Sequence, residues 1–163
     1  MQTRYISCYD INVSPQTNSD FPATCFRQLA EFRYEIRRFI HFSEEAARSQ
    51  DIEPQQHQLL LAIRGLPQGT RPTVRTLADR MCLRHHSTVE LVNRLVQRGA
   101  AVRRPSDRDR REVLVELTPL GEELLHNLSV LHWQELQNSG PTLARSLAHL
   151  LGNEESVTEA RLA

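Results

Sequence analysis

Apolar side chains recur at intervals of three and four over residues 23–50, where Phe26, Leu29, Ala30, Phe32, Ile36, Phe39, Ile40 and Phe42 alternate with charged positions. That period follows one face of an α-helix and predicts a long amphipathic helix. Pro54 opens a second helical stretch carrying Leu59, Leu60, Ile63 and Leu66, which ends where Gly65-Leu66-Pro67-Gln68-Gly69 removes the helical option. Thr73 follows Pro72 as a ready N-cap for a short helix, Val74–Met81, whose Val74, Leu77, Ala78 and Met81 face inward. The turn Cys82-Leu83-Arg84 leads to another helix over about 86–98, stopped by Gly99. Two short helices joined by a polar turn over residues 73–99 form the helix-turn-helix plan.

On a 100° wheel the second of these helices gathers Val89, Leu91, Val92, Leu95 and Val96 on one arc, with Thr88 on the same inner side. His86, Ser87, Glu90, Asn93, Arg94 and Gln97 fill the opposite arc, the candidate groove-reading face. Downstream, Val113, Val115 and Leu117 alternate at period two, which is a strand signature. The segment Arg103-Arg104-Pro105-Ser106-Asp107-Arg108-Asp109-Arg110-Arg111 precedes them, and Pro105-Ser106-Asp107 supplies a chain reversal. An arginine-tipped β-hairpin is predicted. Thr118-Pro119 then gives an N-cap and a first-position proline for a third long helix with Leu120, Leu124, Leu125, Leu128, Leu131 and Leu136 in its stripe. Gly140-Pro141 is expected to break that helix, which resumes over 143–151 on Leu143, Leu147, Leu150 and Leu151. Residues 1–21 show no sustained period and are expected to form a poorly ordered arm.

The predicted class is therefore mainly α with a small β-hairpin wing: a helix-turn-helix DNA-binding module over 54–118, flanked by an N-terminal dimerisation helix over 22–53 and C-terminal dimerisation helices over 119–163. Two apolar stripes at opposite ends of the chain have little to pack on within one monomer beyond each other. A homodimer joining both ends would bury them.

Charge matters through its distribution. The 163 residues carry 20 arginines, no lysine and 20 acids, a formal net charge of zero that offers no global field for nucleic acid. Over residues 71–111, however, eleven arginines face only Asp79, Glu90, Asp107 and Asp109, a local excess suited to phosphate contact. No stretch reaches the ~18 apolar residues of a membrane span, and no signal-peptide pattern opens the chain, so a cytoplasmic location is expected. Three cysteines, Cys8, Cys25 and Cys82, are too few and too irregular for a disulfide framework and are expected to be reduced. Cys82, His85 and His86 lack the spacing of an established zinc site, so no metal and no cofactor are expected. Neither a glycine-rich phosphate loop nor a nucleophile elbow is present, which argues against an enzyme.

These pieces together resemble the MarR family of winged helix-turn-helix regulators. The resemblance rests on Thr73-Val-Arg-Thr-Leu-Ala-Asp-Arg80, on Leu91-Val-Asn-Arg-Leu95 with Arg98-Gly99 after it, on the wing signature Asp109-Arg110-Arg111, and on Val115-Glu-Leu-Thr-Pro-Leu-Gly121. It spans about residues 54–125. It implies a dimeric transcription regulator, a repressor, that holds a pseudo-palindromic double-stranded DNA operator and is released by a small aromatic or anionic effector. By the same resemblance Arg111 enters the minor groove with Asp109 holding it, which suits the concentrated negative potential of a narrow groove.

The expected DNA contacts are Arg75, Arg84, His85, His86, Ser87, Glu90, Asn93, Arg94, Gln97, Arg108, Asp109, Arg110 and Arg111. His85-His86 and Glu90 stand where many relatives carry small hydroxyl and basic residues. Glu90 precedes Arg94 by four positions and would hold it by an ion pair. Candidate effector contacts are His57, Arg64 and His132. Cys25, near the start of the first helix where the helix dipole lowers a thiol pKa, is the candidate for an alternative peroxide-sensing mode. A protein-docking module with an arginine patch for an acidic partner is the reading from a different class.

Overall fold

The structure, a computed structural model, describes residues 22–107 and 112–152. The N-terminal arm and the arginines at the wing tip fall outside the described residues. The element order is α1 (Ala23–Ser49), α2 (Pro54–Arg64), α3 (Val74–Met81), α4 (His85–Gln97), β1 (Ala101–Pro105), β2 (Val113–Leu117) and α5 (Pro119–Leu151). It is the mainly helical, winged architecture that the hydrophobic pattern implies.

Local chemistry explains the element boundaries. Glu53 and Gln56 form a capping box at the start of α2, with the Glu53 backbone N–H donating to Gln56 Oε1 at 3.3 Å and Pro54 at the first helical position. Thr73 caps α3 by accepting from the Thr76 backbone N–H at 3.1 Å. Helix α3 closes on Cys82 in the left-handed region, φ 51°. The Leu83 N–H then donates back to Ala78 O at 3.0 Å, which turns the chain sharply toward α4. Gly99, φ 76°, ends α4 in the same manner.

The chain divides into two compact units, which take residues 47–128 and residues 22–46 with 129–152 of the described chain. In the first, Leu59, Leu60 and Ile63 of α2, Leu77 and Ala78 of α3, and Leu91, Val92 and Leu95 of α4 are buried together with Ala101 and Val115 of the hairpin. Strands β1 and β2 pair antiparallel with Ala101 opposite Leu117, Arg103 opposite Val115 and Pro105 opposite Val113. The segment before α3 joins them: Thr73 bridges Leu114, and the Val115 N–H donates to Pro72 O at 2.9 Å. The hairpin is thus rooted on the entry to α3 as well as on the core.

In the second unit, the α1 residues Phe32, Ile36, Phe39 and Phe42 are half-buried, and Glu35, 4% exposed, is paired with Arg38 at 3.2 Å. Phe26, Leu29, Tyr34 and Ile40 of α1 and Val130, Trp133, Leu147 and Leu151 of α5 are exposed.

Two expectations are corrected. Helix α5 runs unbroken through Gly140-Pro141, with Pro141 inside it. An interior proline removes one helical hydrogen bond and crowds the preceding turn, a cost that thirty-three residues of otherwise continuous helix sustain. The cysteines are not all reduced either. Cys82 is disulfide-bonded, whereas Cys25 is free.

Candidate nucleic-acid interface

Helix α4 is divided lengthwise. Leu91, Val92 and Leu95 are buried in the core and Val89 and Val96 are half-buried. Thr88, fully buried, donates its hydroxyl to Arg84 O at 3.2 Å, so it serves the helix rather than the surface. On the other side His85, His86, Glu90, Arg94 and Gln97 are exposed, with Ser87 and Asn93 half-buried at the margins. A groove-reading helix needs this arrangement, in which donors and acceptors project from a scaffold whose far face is immobilised.

Arg75 and Arg84 are exposed as well. Arg75 and His85 lie together around a concavity of about 530 Å³ between the start of α3 and the base of the wing, with Arg71, Thr73 and Glu112 completing its rim. Arg108, Asp109, Arg110 and Arg111 lie outside the described residues. Their flanks are described: the hairpin closes with the Ser106 N–H donating to Glu112 O at 2.9 Å.

Part of the arginine excess is engaged by partners within the chain. Arg98 donates from Nη1 to Asp51 O at 2.5 Å and from Nη2 to Gln50 O at 3.5 Å, tying the end of α4 to the turn after α1. Arg104 pairs with Glu116 at 3.0 Å across the hairpin. Arg71, counted in the arginine excess but not among the expected DNA contacts, reaches from Nη2 to Ser106 Oγ and from Nη1 to Glu112 Oε2. Its partners are 35 and 41 residues away in sequence, so no local pattern marks it.

The three candidate effector contacts differ in setting. His57 is buried in α2, 2% exposed. Arg64, at the end of the same helix, is exposed and pairs with Glu122 at 3.4 Å. His132 lies in the second unit, where its Nε2 is 2.7 Å from Ser43 Oγ and its ring meets the Phe39 and Phe42 rings edge to face, with centroids 6.1 and 5.8 Å apart. Cys25 is half-buried in the first turn of α1, where its N–H donates to Pro22 O at 2.9 Å. No helix among the described residues is long and apolar enough to cross a membrane.

Residues 50–112 match the MarR family, whose members are transcription regulators rather than enzymes. The comparison with curated proteins returned no match. Among solved structures the chain is similar to wild-type apo MarR from E. coli, at 22% identity and TM-score 0.60 over 88% of this chain and 98% of that one. It is also similar to a mutant of S. aureus MepR bound to an oligodeoxyribonucleotide, at 15% identity and TM-score 0.58 over 88% and 99% of the two chains. A third is Bordetella bronchiseptica BpsR, whose DNA binding is regulated by 6-hydroxynicotinic acid, at 22% identity and TM-score 0.57 over 73% and 91%.

Proposed function

With residues 50–112 matching the MarR family of transcription regulators, we propose that this chain is a dimeric, sequence-specific DNA-binding repressor that acts in the cytoplasm. It holds a pseudo-palindromic operator and leaves it when a small aromatic or anionic effector binds. The carrying observation is the division of α4, whose exposed His85, His86, Glu90, Arg94 and Gln97 back onto a buried apolar face beside a hairpin rooted in the same unit. Helix α4 lies in the major groove, with Ser87 and Asn93 at its edges. Arg75 and Arg84 meet phosphates. The wing carries Arg108, Asp109, Arg110 and Arg111 toward the minor groove, where an inserted arginine gains from the local potential.

The likeness to a MepR structure with bound oligodeoxyribonucleotide supports the mode of binding, and the likeness to BpsR supports an aromatic acid as effector. Residues 54–118 form the DNA-binding part. Residues 22–53 and 119–163 join two copies through the exposed apolar side chains of α1 and α5. Effector contacts are proposed at His57, Arg64 and His132. Of these, His132 with its Phe39 and Phe42 neighbours best suits an aromatic ring. Replacing Arg94 with Ala should weaken binding to the operator duplex by about 1 to 3 kcal/mol while the circular dichroism spectrum stays that of the parent. Unchanged affinity in a folded variant would count against α4 as the reading helix.

A second mode of release has one observation behind it: Cys25 is free and half-buried in the first turn of α1. Peroxide would then dissociate the operator complex, and Cys25→Ser would block that response. A complex that survives peroxide excludes this mode.

A further inference from the structure

We propose that Arg71 is a positioning residue for DNA binding, a clamp whose single guanidinium holds both ends of the wing loop and fixes them to the entry of α3. The proposal rests on the DNA-binding reading above and extends it to a residue that no groove contact requires.

Three contacts converge there. Arg71 Nη2 donates to Ser106 Oγ just after β1, and Nη1 pairs with Glu112 Oε2 just before β2. Ser106 is 3% exposed, and its backbone N–H donates to Glu112 O at 2.9 Å, so the two residues already face each other across the mouth of the loop. The Arg71 backbone is held too. The Thr73 N–H donates to Arg71 O at 2.8 Å, Pro72 O accepts from Val115, and Thr73 caps α3.

A guanidinium is planar and presents several donors in a fixed fork, so it can engage a hydroxyl and a carboxylate at once. A lysine ammonium at the same place lacks that geometry. Arg108 to Arg111, the proposed minor-groove contacts, lie in sequence between the two residues that Arg71 holds. Anchoring both ends of a loop lowers the conformational entropy that binding costs. Side chains of α3, α4 and the wing border the same concavity, so the clamp also sets the wing in register with the helix that reads the neighbouring groove.

The test separates clamping from direct phosphate contact through Glu112. Glu112→Ala removes a negative charge near DNA, and electrostatics alone would then tighten binding. Clamping predicts the opposite, a loss of roughly tenfold in affinity for the operator duplex, at the low end for loss of one groove-reading arginine. Arg71→Ala and Arg71→Lys should lose at least as much. In each variant hydroxyl-radical protection by the wing should fade, while guanine N7 protection by α4 remains.

Hydrogen exchange on the DNA-free protein provides an independent readout. Amides of Arg104, Ser106 and residues 112–114 should exchange faster in Arg71→Ala and in the milder Glu112→Gln, while those of α2 and α4 keep their parental rates. Glu112→Ala binding as tightly as the parent or more so, or wing exchange unaltered in both exchange variants, overturns the clamp. A parent protein that binds no duplex at all instead defeats the DNA-binding reading, and with it the clamp's role in DNA binding. Wing exchange then decides whether Arg71 anchors the loop.

Discussion

Gly121 lies one turn into α5, where a β-carbon would overlap the carbonyl oxygen of Ala100. The backbone on both sides is pinned: Thr118 Oγ1 donates to Gly99 O at 2.6 Å and accepts from the Gly121 N–H at 3.1 Å, and the Thr118 N–H donates to Ala100 O at 3.1 Å. Neither side can retreat cheaply. Gly121→Ala should therefore destabilise the protein by about 1 to 3 kcal/mol or more, as overpacking does, and urea denaturation would measure it. A midpoint equal to the parent's would mean that the contact is softer than described. The glycine is legible in the sequence as part of the Thr118-Pro-Leu-Gly121 run, but the reason for it, a close approach to the Ala100 backbone in the turn before β1, is not. The same holds for Arg71 and Arg98, which count toward a basic patch in the sequence although their guanidinium groups bind Glu112 and the Gln50 and Asp51 carbonyls.

Helices were the most legible elements, because their signals are local. Thr73, Pro54 and Thr118-Pro119 announce starts, Gly65 and Gly99 announce stops, and the structure begins or ends a helix beside each of them. Thr73→Ala should cost about 1 kcal/mol through loss of the N-cap bond to Thr76. The loss should appear in thermal denaturation and, if the segment before α3 holds the wing, in faster exchange at Leu114 and Val115 as well. Helix α5 shows where local signals fail. Gly140-Pro141 reads as a stop, yet the helix continues, with Ser139 Oγ bonded to Glu135 O before it and Ser146 buried beyond it. Pro141→Ala should restore the missing backbone bond and raise stability, by up to about 3 kcal/mol on the scale of interior prolines. A lowered melting temperature would show that the proline itself does structural work there.

For the molecule as a whole, composition points away from nucleic acid while the arrangement points toward it. Net charge is zero, but the acids gather outside residues 71–111 and the arginines within them. Oligomeric state belongs to this scale. Large apolar side chains of α1 and α5, from Phe26, 63% exposed, to Leu151, 65% exposed, lie uncovered in the single chain. Such a surface suits the proposed second copy of the chain. Sedimentation velocity should show a dimer, and Leu29→Glu combined with Leu147→Glu should shift it to monomer and sharply weaken operator binding by separating the two reading helices. A parent that sediments as a monomer at micromolar concentration would contradict the proposed assembly.

The central claim is that this surface recognises a specific duplex. Fluorescence polarisation with the duplex upstream of its own coding region, run as a salt series against unrelated competitor DNA, tests that claim most directly. The account predicts tight binding that resists competitor and falls steeply as salt rises, because the arginines displace counterions from phosphates. Absence of binding to any duplex even at low salt would contradict it and favour an acidic protein as the partner of the arginine patch.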